Sequence, residues 1–272
     1  MAALDRPALE HPAHTHRIDD GVGARSATPR RDLLTARPGS LADRWGDRLH
    51  GCSPIVAALV VAVIGWVVVA ASIIAIGALL VHVLLPGAVG SWDESVVRSF
   101  VEHRTSPLTD ASWVGSGLAE TLTVVAAGLV LSVVLLVKRA WALLGLVVLS
   151  LVMEITLYLA VTAAVHRQRP FVQQLEVRRQ GASFPSGHTA AAVVLYFLIA
   201  AVVTFYATSL LARRVAWAAV VAVPIVVALS RIYRGMHHPT DAIAGFLMGA
   251  GCVIVALLAV RTAGVVAERR HT

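Results

Sequence analysis

The sequence predicts an all-α, polytopic bundle of six transmembrane helices, and three observations carry that expectation. Hydrophobic residues make up 57% of the chain and charged residues 14%, with a mean hydropathy of +0.76, a balance foreign to a water-exposed surface. The apolar residues gather into long runs, several near the roughly 20 residues that a helix needs to cross a hydrocarbon layer of about 30 Å. Short polar stretches, often basic, separate those runs.

In chain order, residues 1–50 are polar and rich in Pro, Gly, His and Arg, and do not read as a signal peptide. They are expected to form a largely disordered tail, within which LADRWGDRL has the pattern of a short interfacial helix anchored by Trp45. A membrane domain is expected over 51–264, with a short C-terminal tail at 265–272. The first span covers 54–85 and is followed by GAVGSWDESVVRSFVEHRTSPLTD, which has room for an amphipathic helix. Spans at 111–137 and 141–165 are separated only by the boundary around Lys138 and Arg139, forming a hairpin. The fourth span covers 186–211. Arg213 and Arg214 separate it from the fifth, 215–229, which is short for a crossing unless its ends extend. The sixth follows Pro239 and reaches 260.

The formal net charge is +7, but the basic residues sit in loops and tails and line no single soluble face. Membrane lipids and anionic substrates are therefore the expected partners, and nucleic acid is not. Cys52 and Cys252 show neither CxxC nor metal-ligand spacing, so no disulfide framework is expected. An even number of spans places both termini on one side. Lys138, Arg139, Arg213, Arg214, Arg261, Arg269 and Arg270 favour a cytoplasmic location for them in a bacterial plasma membrane. The connections at 86–110, 166–185 and 230–239 then lie outside. Arg167, Arg169, Arg178, Arg179, Arg231 and Arg234 oppose this count unless they have another task.

Two of those connections contain a pattern suited to an oxyanion. Arg169 in HRQRP and Arg231 in SRIYRGMHHPTD each offer several donors and a fixed positive charge to tetrahedral oxygens, although a lone arginine also serves as a headgroup anchor. PSGHT opens the fourth span. There Ser186 can cap the helix or bind an oxyanion, Gly187 lets the backbone approach closely, and His188 can protonate a leaving oxygen. An ordinary cap beside an interfacial histidine has the same pattern. In the last segment His237 and Asp241 are four residues apart, so a helix or local turn brings the carboxylate to one imidazole nitrogen while the other attacks phosphorus; a structural ion pair is the alternative. Pro239 suits the first turn of the sixth helix, which leaves His237 just ahead of it.

Taken together, these segments resemble the membrane-bound type 2 phosphatidic acid phosphatase (PAP2) superfamily, whose pattern is K-x6-RP, PSGH and SR-x5-H-x3-D. Arg169 and Pro170 match the end of the first motif, Pro185 to His188 the second, and Ser230, Arg231, His237 and Asp241 the third. The resemblance covers about 54–262 and implies a six-helix bundle of the PAP2 type. It further implies that His237 forms a phosphohistidine, that Asp241 orients it, and that His188 protonates the leaving group and then activates water. Arg169 and Arg231 would bind the phosphoryl oxygens with help from Ser186 and Gly187, and neither metal nor cofactor would be needed.

Thr162 stands where the first motif begins with lysine; a hydroxyl replaces neither the charge nor the three donors of an ammonium group. Arg167, Arg178, Arg179 and Arg234 are candidates to supply the missing charge. The expected activity is metal-independent hydrolysis of a lipid phosphate monoester or diphosphate, such as a polyprenyl diphosphate (undecaprenyl diphosphate among them), phosphatidic acid or phosphatidylglycerol phosphate. An apolar tail would remain in the bilayer while the phosphate reaches a polar mouth. A lipid phosphotransferase and a nonenzymatic lipid-phosphate binding or transport protein are the alternatives. Glu154, inside the third span, is the feature that most favours transport, against pairing or protonation in the helix interior. Tyr158, Trp66, Trp141 and Trp217 read as packing and interface residues.

Overall fold

A computed structural model describes residues 33–176 and 181–270. Among them the regular structure is entirely helical. A short α1 (Leu41–Arg48) forms within the segment read as tail. The Ser40 hydroxyl accepts from the Asp43 amide at its start, and Arg269 pairs with Asp43 at 2.8 Å to hold it against the end of the last helix. The remainder of that segment, through residue 32, lies outside the described residues.

The helix α2 (Pro54–Leu79) starts at a Ser53 cap, with Pro54 in the first turn where a missing amide hydrogen costs nothing. A π-turn at Leu80–Leu84 lengthens it to a span of 31 residues. The amphipathic helix expected in the next connection is α3 (Ala88–Glu102). The span expected at 111–137 is two helices, α4 (Ser106–Gly117) and α5 (Thr121–Val137), bent by 40° at the break between them. The bend has a local cause: the amides of Ala119 and Glu120 turn back onto Ser116 and Gly117, and the Thr123 hydroxyl donates to the Gly117 carbonyl.

After the bend come α6 (Trp141–Ala164), α7 (Gly187–Tyr206), α8 (Leu210–Tyr233) and α9 (Pro239–Arg269). With α2, these make five helices long and apolar enough to cross a membrane, and the bent α4–α5 pair is the sixth crossing if taken as one. The chain is therefore an integral membrane protein of the expected class. The fifth span exceeds the expected 215–229 at both ends. Arg213 folds back to donate to the Ala207 carbonyl, which keeps a charged residue within the first turn, and at the other end Arg231 and Tyr233 find polar partners outside the helix. Likewise α9 continues through 265–269, residues read from the sequence as tail.

Contact with lipid offers helices no hydrophobic gain over contact with one another, so close packing must hold them together. Here α9 lies against α2, α6 and α7. Gly245 rests on the Ser186 carbonyl and Gly249 on the Ala190 carbonyl; a Cβ at either would come within 2.5 Å and 2.7 Å of those oxygens. This contact fixes the start of α9 beside the start of α7. On the other side, Gly77 of α2 leaves room for the fully buried Phe184, which anchors the loop before α7. Trp66 and Trp217 join neighbouring spans by indole hydrogen bonds to Thr156 and Thr204, both at 3.0 Å.

Candidate active site

At one end of the bundle, α3, the irregular segments 165–176 and 181–186 and the turn between α8 and α9 meet. Gly235 makes that turn possible: its φ of +72° lies in the left-handed region, and a Cβ there would meet Val172 at 2.8 Å. His237 precedes α9, His238 caps it, Pro239 occupies the first turn, and Asp241 is the third helical residue, with its Oδ2 accepting from the His238 amide at 2.8 Å. The spacing HHPTD is thus a helix start in which the cap carboxylate also faces the histidines.

The His237 ring is buried, 2% exposed. Its Nδ1 is 2.8 Å from the Ser183 carbonyl oxygen and 3.8 Å from Asp241 Oδ2. A carbonyl only accepts, so Nδ1 carries the hydrogen and Nε2 keeps its lone pair. The orienting group is therefore a backbone carbonyl backed by the carboxylate. Burial pushes the imidazole down to about 4, against the hydrogen bond and charge of Asp241 and in the same direction as Arg231 and Arg169, so the ring is neutral at pH 7.

Asp241 is held from the opposite side by a fully protein-lined network. Arg167 donates to Asp241 Oδ1 at 2.5 Å, to Asp93 Oδ2 at 2.6 Å and to the Thr240 hydroxyl at 2.6 Å. Thr240 returns to Asp93 through both its amide, at 3.1 Å, and its hydroxyl. The Arg167 carbonyl accepts from the Ser183 amide at 2.8 Å, which ties the loop touching His237 to the same residue. Arg167 and both aspartates are buried. Glu94, next to Asp93, lies 3.1 Å from His238 Nε2.

A second group of arginines faces a cavity of about 900 Å³ lined by Arg231, Arg234, Glu176, His188, Ser116 and Trp113. One oxygen of Glu176 accepts from Arg231 Nη1 and from Arg234 Nε, each at 2.7 Å. Burial opposes ionisation of Glu176, but the two guanidinium groups outweigh it and hold the carboxyl below its ordinary range. Arg231 also donates to the Ser116 hydroxyl at 2.8 Å and lies within electrostatic reach of Arg169. Arg169 donates to the Met236 carbonyl at 2.7 Å, bracing the residue before His237. Arg104 clamps the rim, donating to the carbonyls of Tyr233 and Gln173.

His188 is the second residue of α7, beside amides that have no acceptor within the helix. It lines the arginine cavity and also a groove of about 400 Å³ between α5, α6 and α7, walled by Val124, Val125, Leu151, Ile155, Leu159 and Ala191. Glu154, Tyr158 and Gly187 border this groove, with Glu154 mostly buried and Tyr158 pressed against Gly187.

The structure thus brings His188, Arg231 and Arg234 to one cavity, with His237 within electrostatic reach of Arg231 and Arg169. Ser186 is buried, its hydroxyl accepting from Thr189 at 2.9 Å and its amide donating to the Asp241 carbonyl. The Thr162 hydroxyl is spent on the Tyr158 carbonyl of its own helix at 2.7 Å. Arg167 is committed to the two aspartates, which leaves Arg234, among the described candidates, as the extra charge on the cavity. Arg178 and Arg179 lie outside the described residues. Sequence reasoning missed Asp93, Glu94, Arg104, Glu176 and Ser183. Asp93 had one legible signal: it shares the buried face of α3 with Val97, where a carboxylate needs a partner.

The fold defines a polytopic helical membrane protein with a guanidinium-lined cavity at one end. Residues 124–264, more than half of the chain, match the PAP2 superfamily, and the chain belongs to that family and its phosphatase class. Among solved structures the chain is similar to the transmembrane PAP2-type phosphatidylglycerolphosphate phosphatase from Bacillus subtilis, with a TM-score of 0.57 and 22% identity over 72% of this chain and 92% of that one. Aquifex aeolicus LpxE aligns with a TM-score of 0.47 and 21% identity over 60% of this chain and 93% of that one. No curated protein matches the chain.

Removing Arg167 leaves two buried carboxylates without a counter-charge. Arg167→Met is expected to cost about 3–5 kcal/mol, with Arg167→Lys in between because an ammonium group cannot span both aspartates at once. Thermal unfolding in detergent reads this, and an Arg167→Met protein as stable as the parent contradicts the role of the network.

Proposed function

We propose that the chain hydrolyses a lipid phosphate monoester or diphosphate through a phosphohistidine on His237. The observation that carries this reading is a buried imidazole whose Nδ1 lies 2.8 Å from the Ser183 carbonyl, which leaves the Nε2 lone pair for attack, within electrostatic reach of Arg231, which lines the same cavity as His188. In the first step Nε2 forms a bond to the terminal phosphorus, the bond from phosphorus to the leaving oxygen breaks, and His188 gives that oxygen a proton. In the second step His188 takes a proton from water, the water oxygen bonds to phosphorus, and the nitrogen–phosphorus bond breaks to release inorganic phosphate. Arg231, Arg234 and Arg169 offset the charge on the phosphoryl oxygens, with the first α7 amides from Gly187 onward at the same helix start. Asp241, held by Arg167, positions His237 and favours its charged form as it accepts positive charge.

The groove supports a lipid substrate. It leaves His188 between a polar cavity and an apolar channel walled by three helices, so a phosphate can react while its tail stays at membrane depth. Polyprenyl diphosphates, phosphatidic acid and phosphatidylglycerol phosphate all have that form. We read 51–264 as the one membrane domain, with α1 docked on the end of its last helix. Detergent-purified protein is expected to release phosphate from at least one of these lipids in the presence of a chelator, with His237→Ala lowering the rate at least about 10³-fold; retained release by folded His237→Ala protein rejects the assignment.

We further propose that the site is extracytoplasmic. Of the arginines at this end that oppose the charge rule, Arg167, Arg169, Arg231 and Arg234 are engaged by Asp93, Asp241, Glu176 and a backbone carbonyl, while Arg178 and Arg179 lie outside the described residues. With those four discounted, Lys138, Arg139, Arg213, Arg214 and Arg269 support a cytoplasmic location for the other end. Phe171, 91% exposed in the loop before α7, provides the test. With Cys52 replaced by Ser, Phe171→Cys is expected to react with an impermeant thiol reagent on intact cells, and reaction only after lysis reverses the orientation.

A further inference from the structure

The cavity arginines are already occupied by the protein's own anion. Glu176 spends one carboxylate oxygen on both Arg231 and Arg234, at 2.7 Å each, while its side chain remains 25% exposed. The backbone leading into this contact is pinned: the Leu175 amide donates to the Arg234 carbonyl at 3.1 Å, and Arg104 holds the Gln173 carbonyl at 2.7 Å. Rotation of the Glu176 side chain is therefore enough to free both guanidinium groups without moving the chain. The guanidinium groups do not depend on Glu176 for position, since Ser116 accepts from Arg231 and Ser112 from Arg234.

We infer that Glu176 is a specificity-determining residue, a tethered competitor that a doubly charged terminal phosphate displaces and a singly charged phosphodiester does not. The inference rests on reading this cavity as the phosphate site. A site rich in arginine at a membrane surface faces a vast excess of phospholipid headgroups, whose diester phosphates carry one charge and two free oxygens. A carboxylate carries that same charge, and its tether supplies a local concentration in about the millimolar range or above. A diester thus gains nothing in charge by replacing it. A phosphate monoester carries about −1.5 to −2 at pH 7 and three acceptor oxygens, enough to engage Arg231 and Arg234 together and gain attraction from the exchange. The filter scales the affinity of every anion by the fraction of time that Glu176 leaves the site free, the same factor for each, so that only the monoanion, which starts weaker, falls below useful binding.

The test uses the full chain in nonionic detergent. Glu176→Gln removes the charge and keeps the side chain's shape, and Glu176→Ala gives the same reading should the amide itself hold the arginines. Inorganic phosphate binding is measured by calorimetry, with no turnover involved. Hydrolysis of the best lipid phosphate is then measured while phosphatidylglycerol is added, against equal dilution with detergent. The expected result is a Kd for phosphate lowered about tenfold in both variants, together with inhibition by phosphatidylglycerol that the parent does not show. An unchanged or weaker Kd, no phosphate binding, or equal resistance to phosphatidylglycerol in parent and variants overturns the inference. Absence of hydrolysis in every protein, with tighter phosphate binding in the variants, instead sinks the hydrolase reading and leaves the competitor intact.

Discussion

The rest of the site depends on one buried interaction, the Arg167 guanidinium held between Asp93 and Asp241. Each partner comes from a different part of the chain: α3, the loop before α7, and the start of α9. A buried ion pair is a poor source of net stability, because desolvation offsets most of the attraction. Its value here is geometric. It tolerates only arrangements in which all three groups meet, so it fixes the amphipathic α3 against the start of α9, sets the position of Asp241 beside His237, and draws in Ser183, whose carbonyl chooses the His237 tautomer.

Packing in the membrane supplies the complementary constraint. The contact of Gly245 and Gly249 with the α7 backbone brings two helix starts side by side, one bearing His188 and the other Asp241. The polar network thus fixes the start of α9 to α3 and to the loop before α7, and the glycine contact fixes it to α7 itself, one by demanding partners and the other by allowing approach. His188 sits where the resulting polar cavity meets an apolar groove, a position that suits chemistry on a molecule with one end in each.

Much of this was legible in the sequence, for definite reasons. Long apolar runs with basic boundaries gave the spans, and the motifs around Arg169, His188, Arg231, His237 and Asp241 named residues that the fold gathers at one end. Boundaries were less legible where a local hydrogen bond overrode hydropathy: the fold-back of Arg213 extends α8, and the turn at residues 118–120 breaks a run that is continuous in apolarity. Pairings between distant residues were not legible at all. Nothing in sequence spacing assigns Arg167 to carboxylates or Arg234 to the cavity, and nothing reveals Glu176 lying on two arginines; those assignments arise from tertiary contact alone. The Ser183 carbonyl is invisible to any reading of side chains.

The central claim, that His237 carries the phosphoryl group, is tested most directly by trapping that species. Protein would be mixed with a lipid substrate bearing a radiolabelled terminal phosphate, quenched in alkali within the first turnovers, and digested for mass spectrometry. The account predicts an acid-labile, alkali-stable label on the peptide containing His237. Label on another residue, or continued hydrolysis with no labelled intermediate under single-turnover conditions, would contradict it.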